Sequence, residues 1–159
     1  MVFAFTSCGG GGSSDNLPDS LTSSSSKTSK ISAQADAPIS AQPIVFTLND
    51  FKEVAEFSKK LSSGSLLQGT QLSFSGLPTT SGFQLKNVIL SLGKEKYEIK
   101  TLDKNGDILT TDYYNFLQKV LNDVVNKKSA TIMVEGVSNT KIDDAELKVN
   151  IKADFKFKK

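Results

Sequence analysis

From residue 147 to residue 158 the sequence alternates without interruption. Leu147, Val149, Ile151, Ala153, Phe155 and Phe157 are apolar; Lys148, Asn150, Lys152, Asp154, Lys156 and Lys158 between them are polar. Side chains on a strand point alternately to opposite faces, so this pattern specifies a long strand with one dry face and one wet face. A helix has no use for a period of two. A sheet with one dry face must bury it against a second layer, and the rest of the chain has to supply that layer.

The sequence before it supplies more strands and two helices. Thr47 and Asp50 have capping-box spacing, and Phe51, Val54, Ala55, Ser58 and Leu61 recur at helical intervals, which predicts a helix over 48–62 ended by Gly64. Residues 71–75 alternate around Leu72 and Phe74, and 76–82 form a Gly/Pro loop. Residues 83–92 form a longer strand whose apolar phase slips by one near Lys86-Asn87, the mark of a β-bulge. Gly93-Lys94 is a tight turn before a strand carrying Tyr97, Ile99 and Thr101, and Asn105-Gly106 connects it to a return strand at 108–110. Tyr113, Phe116, Leu117, Val120, Leu121, Val124 and Val125 then follow one helical stripe, with Lys127-Lys128 at its negative end. Residues 130–137 carry apolar side chains on both faces (Ile132 and Val134; Met133 and Val137) and predict a central strand.

Hairpin-type connections dominate, so the sheets are antiparallel. The fold class is mainly β with two helices: an antiparallel β-sandwich of immunoglobulin-like, Greek-key character, the helices over its ends or edges. The alternative is an α+β fold, one curved antiparallel sheet with both helices on one face.

Composition removes whole classes of chemistry. All 19 cations are lysine, against 17 Asp+Glu; arginine, histidine and tryptophan are absent, and there is one cysteine. No Ser-His-Asp triad, Cys-His pair, histidine metal site or internal disulfide can be built. Near-balanced charge without arginine argues against nucleic-acid binding. No cofactor is implied. Two carboxylates alone can hydrolyse a glycosidic bond, but the acids here fall mainly in turns or on polar faces, so an enzyme is not the expectation.

The remaining site candidates are weak. Asp103, Asn105 and Asp107 suggest a calcium loop, but the sixth position from Asp103 is Ile108 and the twelfth is Tyr114, so the EF-hand pattern fails and a hairpin turn is expected. Asp143, Asp144 and Glu146 form an acidic turn. Lys148, Lys152 and Lys156 form a positive stripe suited to an anionic ligand, though strand lysines also deter aggregation. Among the tyrosines, Tyr97, Tyr113 and Tyr114, Tyr114 lies just off the helix stripe and is the candidate for stacking on a sugar.

The N-terminus carries a different signal. Apolar residues 2–5 lead to Thr6-Ser7-Cys8, followed by Gly9 to Gly12 and Ser13-Ser14. This resembles the end of a bacterial lipoprotein signal peptide. The resemblance implies cleavage before Cys8, leaving 1–7 as the remnant of the signal, and a diacylglyceryl group on Cys8, usually with an acylated N-terminus. A secretory signal has roughly 7–15 apolar residues, so the native signal is expected to begin upstream of Met1. Gly9, where Asp would signal inner-membrane retention, implies an outer-membrane location.

Residues 9–43 include Ser23 to Ser26, Pro18, Pro38 and Pro43, with sparse apolar residues, and predict a disordered tether with an end-to-end distance on the order of 30–35 Å. A single β-rich domain over 44–159 follows. The expectation is a non-enzymatic cell-envelope lipoprotein, held in the membrane through Cys8, that binds an unidentified protein or glycan partner. Strand addition to the long final strand suits it if that strand lies at an edge. The alternative is a periplasmic structural subunit of an envelope complex.

Overall fold

The long alternating strand β10 (Ile142–Phe157) is the axis of the molecule. The computed structural model describes residues 17–100, 102, 108 and 111–158. Every apolar member of the alternation, from Leu147 to Phe157, is buried. On one side β10 pairs antiparallel with β1 (Ser20–Ala33), from Ser20↔Lys156 to Ala33↔Ile142. On the other side two shorter strands share its length: β5 (Leu61–Leu66) along its C-terminal end and β6 (Gln71–Ser75) along its middle. A two-residue strand β3 (Ser40–Ala41) lies outside β1 at Ile31 and Ser32. β10 is therefore an interior strand, not an edge.

β1 corrects the sequence expectation. Residues 20–33 belong to the fold and are not part of a disordered tether. The domain begins near Leu17, well before residue 44. Composition misleads because four of the seven inward positions of β1, Ser23, Ser25, Lys27 and Ser29, are polar. Two of these hydroxyls are satisfied internally: Ser23 donates to Glu53 Oε2 at 2.8 Å and Ser29 to the Gln42 carbonyl at 2.5 Å. Both serines are buried, and a hydrogen-bonded hydroxyl is tolerated there where a bare one is costly. The N-terminal residues 1–16, with Cys8, lie outside the described residues, as do Asp103, Asn105 and Asp107.

The second sheet is built on β9 (Ser129–Ser138). On one side it pairs with β7 (Leu85–Leu92), which in turn pairs with β8 (Glu95–Ile99). On the other it pairs with β4 (Ile44–Thr47) and the short β2 (Ala37–Pro38). β9 is central, as its sequence predicts, but only one face is buried. Ala130, Ile132 and Val134 point inward, while Met133 is 50% exposed and Val137 37%. The bulge in β7 is where the apolar phase slips: Asn87 has φ of 53° and the register against β9 shifts between Lys86 and Ile89.

Both sheets are antiparallel and face each other, so the fold is the sandwich and not the single curved sheet. The helix α2 (Tyr113–Lys127) closes one open side, touching β5 of the first sheet and β8 and β9 of the second. All seven residues of its apolar stripe are buried. The helix expected over 48–62 is broken. It consists of a 3-10 turn (Leu48–Asp50), a four-residue α1 (Lys52–Ala55) and a second 3-10 turn (Ser58–Lys60), and then gives way to β5. Ser62, Ser63, Gly64 and Ser65 are poor helix formers, and the open flank of β10 offers their backbone a ladder instead.

Candidate functional site

The three lysines singled out in sequence, Lys148, Lys152 and Lys156, stand exposed along the outer face of β10. Four-residue spacing on a strand separates them by about 13–14 Å. Because β10 is interior, the row runs down the middle of a sheet. β1 places Thr28, Ser24 and Ser20 opposite the three lysines, with Ser26 and Thr22 opposite Asn150 and Asp154. On the other flank Ser73 lies opposite Lys148 and Ser63 opposite Lys156, with Gln71 and Ser65 opposite Asn150 and Asp154. The central amide is oriented: Ser26 Oγ donates to Asn150 Oδ1 at 2.7 Å, and Asn150 Nδ2 donates to the Gly69 carbonyl at 2.8 Å. Among the described residues none of the three lysines is held in an ion pair.

The result is a flat carpet of hydroxyl, amide and ammonium groups, with Glu146 and Asp154 alternating into the lysine row. Such a surface offers many hydrogen bonds to an oxygen-rich ligand, with a modest positive bias. Its β1 half depends on residues 20–33 forming a strand, which their polar composition conceals. The signal that was available is the alternation of Leu21, Ile31 and Ala33 with polar positions in phase with β10.

The tyrosines do other work. Tyr114 is half-buried; its hydroxyl donates to the Thr70 carbonyl at 2.9 Å and its ring meets Tyr113 edge-on at 5.2 Å. It fastens α2 to the β5–β6 connection and presents no open stacking platform. Tyr97 and Tyr113 are buried, and Tyr97 donates to Asp112 Oδ1 at 2.9 Å. Burial, helped by the neighbouring Tyr114, pushes the Tyr113 phenol above its ordinary range against a hydrogen bond with the Leu72 backbone.

Asp143, Asp144 and Glu146, expected in a turn, lie on β10 itself; Asp143 and Asp144 are exposed, with Lys141 Nζ 3.4 Å from Asp143. Among the described residues no three carboxylates gather in a way that could hold a metal ion.

A second surface was not singled out in sequence. Val45, Met133 and Val137 are the large apolar side chains exposed among the described residues, and all three lie on the outer face of the second sheet. Val45 on β4 is opposite Thr131, one strand position from Met133. Half-buried Ile89 on β7 is opposite Glu135, which lies between Met133 and Val137 on the same face. No protein-family model, curated protein or solved structure matches this chain. No helix among the described residues is long and apolar enough to cross a membrane.

Proposed function

We propose that this protein is a non-enzymatic cell-envelope lipoprotein, anchored through Cys8, whose sandwich domain binds an oxygen-rich ligand or partner. The observation that carries the binding half is the hydroxyl-flanked lysine row on the outer face of the first sheet. The anchoring half rests on the residues around Cys8 and their resemblance to a lipoprotein signal. With β1 inside the fold, only residues 9–16 separate Cys8 from the first described residue, Leu17. Eight residues span at most about 30 Å, so the domain is held closer to its membrane than a 35-residue tether would allow.

A second reading, a structural subunit of an envelope complex, is favoured by the exposed apolar side chains Val45, Met133 and Val137 on one sheet face. Protease treatment of intact and lysed native cells, with a periplasmic control protein, separates the two. Digestion in intact cells supports display to external ligands. Protection until lysis supports the complex subunit. A soluble cytosolic product would overturn the lipoprotein reading altogether, as would an unmodified Cys8 by mass spectrometry of the native product.

A further inference from the structure

One end of the sandwich carries a cluster of exposed lysines. β5 begins there, and β10 and α2 end there. The ends are tied together: Lys158 N donates to the Lys60 carbonyl at 2.7 Å, Lys128 Nζ donates to the Ser58 carbonyl at 3.2 Å, and Phe57 meets Phe157 edge-on at 5.5 Å. Six exposed lysines crown this end: Lys59, Lys60, Lys127, Lys128, Lys156 and Lys158. The acids near them are Asp19, Glu53, Glu56, Asp123 and Asp154, with Asp123 ion-paired with Lys127 at 3.5 Å. The six lysines outnumber these five acids.

The same pole is where the chain enters the fold, since Ser20 pairs with Lys156. We propose that this lysine pole docks on the anionic headgroups of a phospholipid bilayer. This rests on the lipoprotein reading: an anchor on Cys8, at most about 30 Å from Leu17 along the chain, brings this end of the sandwich, and not the opposite one, to the membrane. Lysine is well suited to such a surface, because it acts as a flexible point charge and needs no shaped pocket. Docking fixes the long axis of β10 upright on the bilayer. The hydroxyl-lysine face and the outer face of the second sheet then both face sideways, clear of lipid.

The test uses the full chain with Cys8→Ser, so that no acyl group contributes. Co-sedimentation is measured with neutral phosphatidylcholine vesicles and with vesicles that contain phosphatidylcholine and phosphatidylglycerol in equal parts. Binding is expected only to the anionic vesicles. Each lysine near such a surface contributes roughly five-fold in partitioning. Changing Lys59, Lys60, Lys156 and Lys158 together to Gln should therefore weaken binding by on the order of a hundredfold or more. The Lys59→Gln, Lys60→Gln pair, which leaves every strand untouched, should weaken it by roughly 25-fold. A control changes Lys30, Lys86, Lys100 and Lys141, at the opposite end, to Gln with the same loss of charge, and should retain most of the binding. Equal binding to both kinds of vesicle, or equal losses in the pole and control variants, overturns the proposal. Lipid on Cys8 is read separately from the mass of the native product, so the docking proposal and the anchoring proposal fail independently.

Discussion

Gly64 is a single atom away from disrupting the core. A Cβ built there would lie 3.1 Å from Leu121 Cδ2 and 3.3 Å from Phe155 Cδ1, so the bare backbone of β5 is what lets α2 pack against the first sheet. Gly64→Val should cost about 1–3 kcal/mol by overpacking, seen as a lower urea midpoint, and the cost should shrink in a Leu121→Ala background. Asp50 works through charge. Partial burial raises its carboxyl pKa, but the Thr47 N–H at 2.8 Å, the Lys27 ammonium at 3.0 Å and the Thr47 hydroxyl together outweigh that and hold it below the ordinary carboxylate range. A depressed folded-state pKa adds stability that is fully present above the unfolded value of about 3.9 and is lost as pH falls through the folded value. Asp50→Asn should flatten the stability profile on the acid side of pH ~4 in denaturant titrations, and Asp50→Ala should cost about 1 kcal/mol at neutral pH. Lys27 also points inward from β1, so the pair places a buried-side charge on an edge strand, a device that discourages further strand pairing.

At the scale of elements, β1 is the one whose character is most open to test. Among the described residues, its outer edge from Ser20 to Lys30 has no backbone partner, since β3 covers only Ile31 and Ser32. In an antiparallel pair successive amides point alternately toward the partner and away from it. Amide hydrogen exchange across residues 20–30 should therefore alternate between slow and fast. A tether would exchange uniformly fast, and uniform slowness would mean that something covers the edge. Much of the architecture was legible in the sequence. α2 was set by seven apolar residues at helical spacing, β10 by strict alternation, and the β7 bulge by a one-residue phase slip. What was not legible shares one cause, namely reading burial as hydrophobicity. β1 lines its inner face with serines whose bonding partners are distant in sequence: Ser23 to Glu53 and Ser29 to Gln42. β5 carries a helix-like lead-in, yet the vacant flank of β10 decides its conformation. The lysine row was visible residue by residue, but its hydroxyl borders were not, because they depend on which strands flank β10. Met133 and Val137 misled in the opposite direction, as apolar residues on a central strand that remain open to solvent.

For the whole molecule, the two outer faces separate into a polar one and a partly apolar one, and each can be altered without loss of the core. Met133→Lys with Val137→Thr should leave stability within about 0.5 kcal/mol, because both side chains are substantially exposed. It should abolish any concentration-dependent mass seen by analytical ultracentrifugation; persistence of that mass would place self-association elsewhere. The position of β1 also has a mechanical consequence. The chain enters at Ser20, beside the C-terminal end of β10, and thirteen residue pairs link the two strands in opposite directions. If tension on the N-terminus is resisted at the far end of the sandwich, near Ile142, the thirteen pairs are loaded in shear and share the force. If it is resisted at the near end, beside Lys156, they open singly, as a zipper. Which end of the domain grips its partner therefore sets how hard that partner can pull before the first strand comes away.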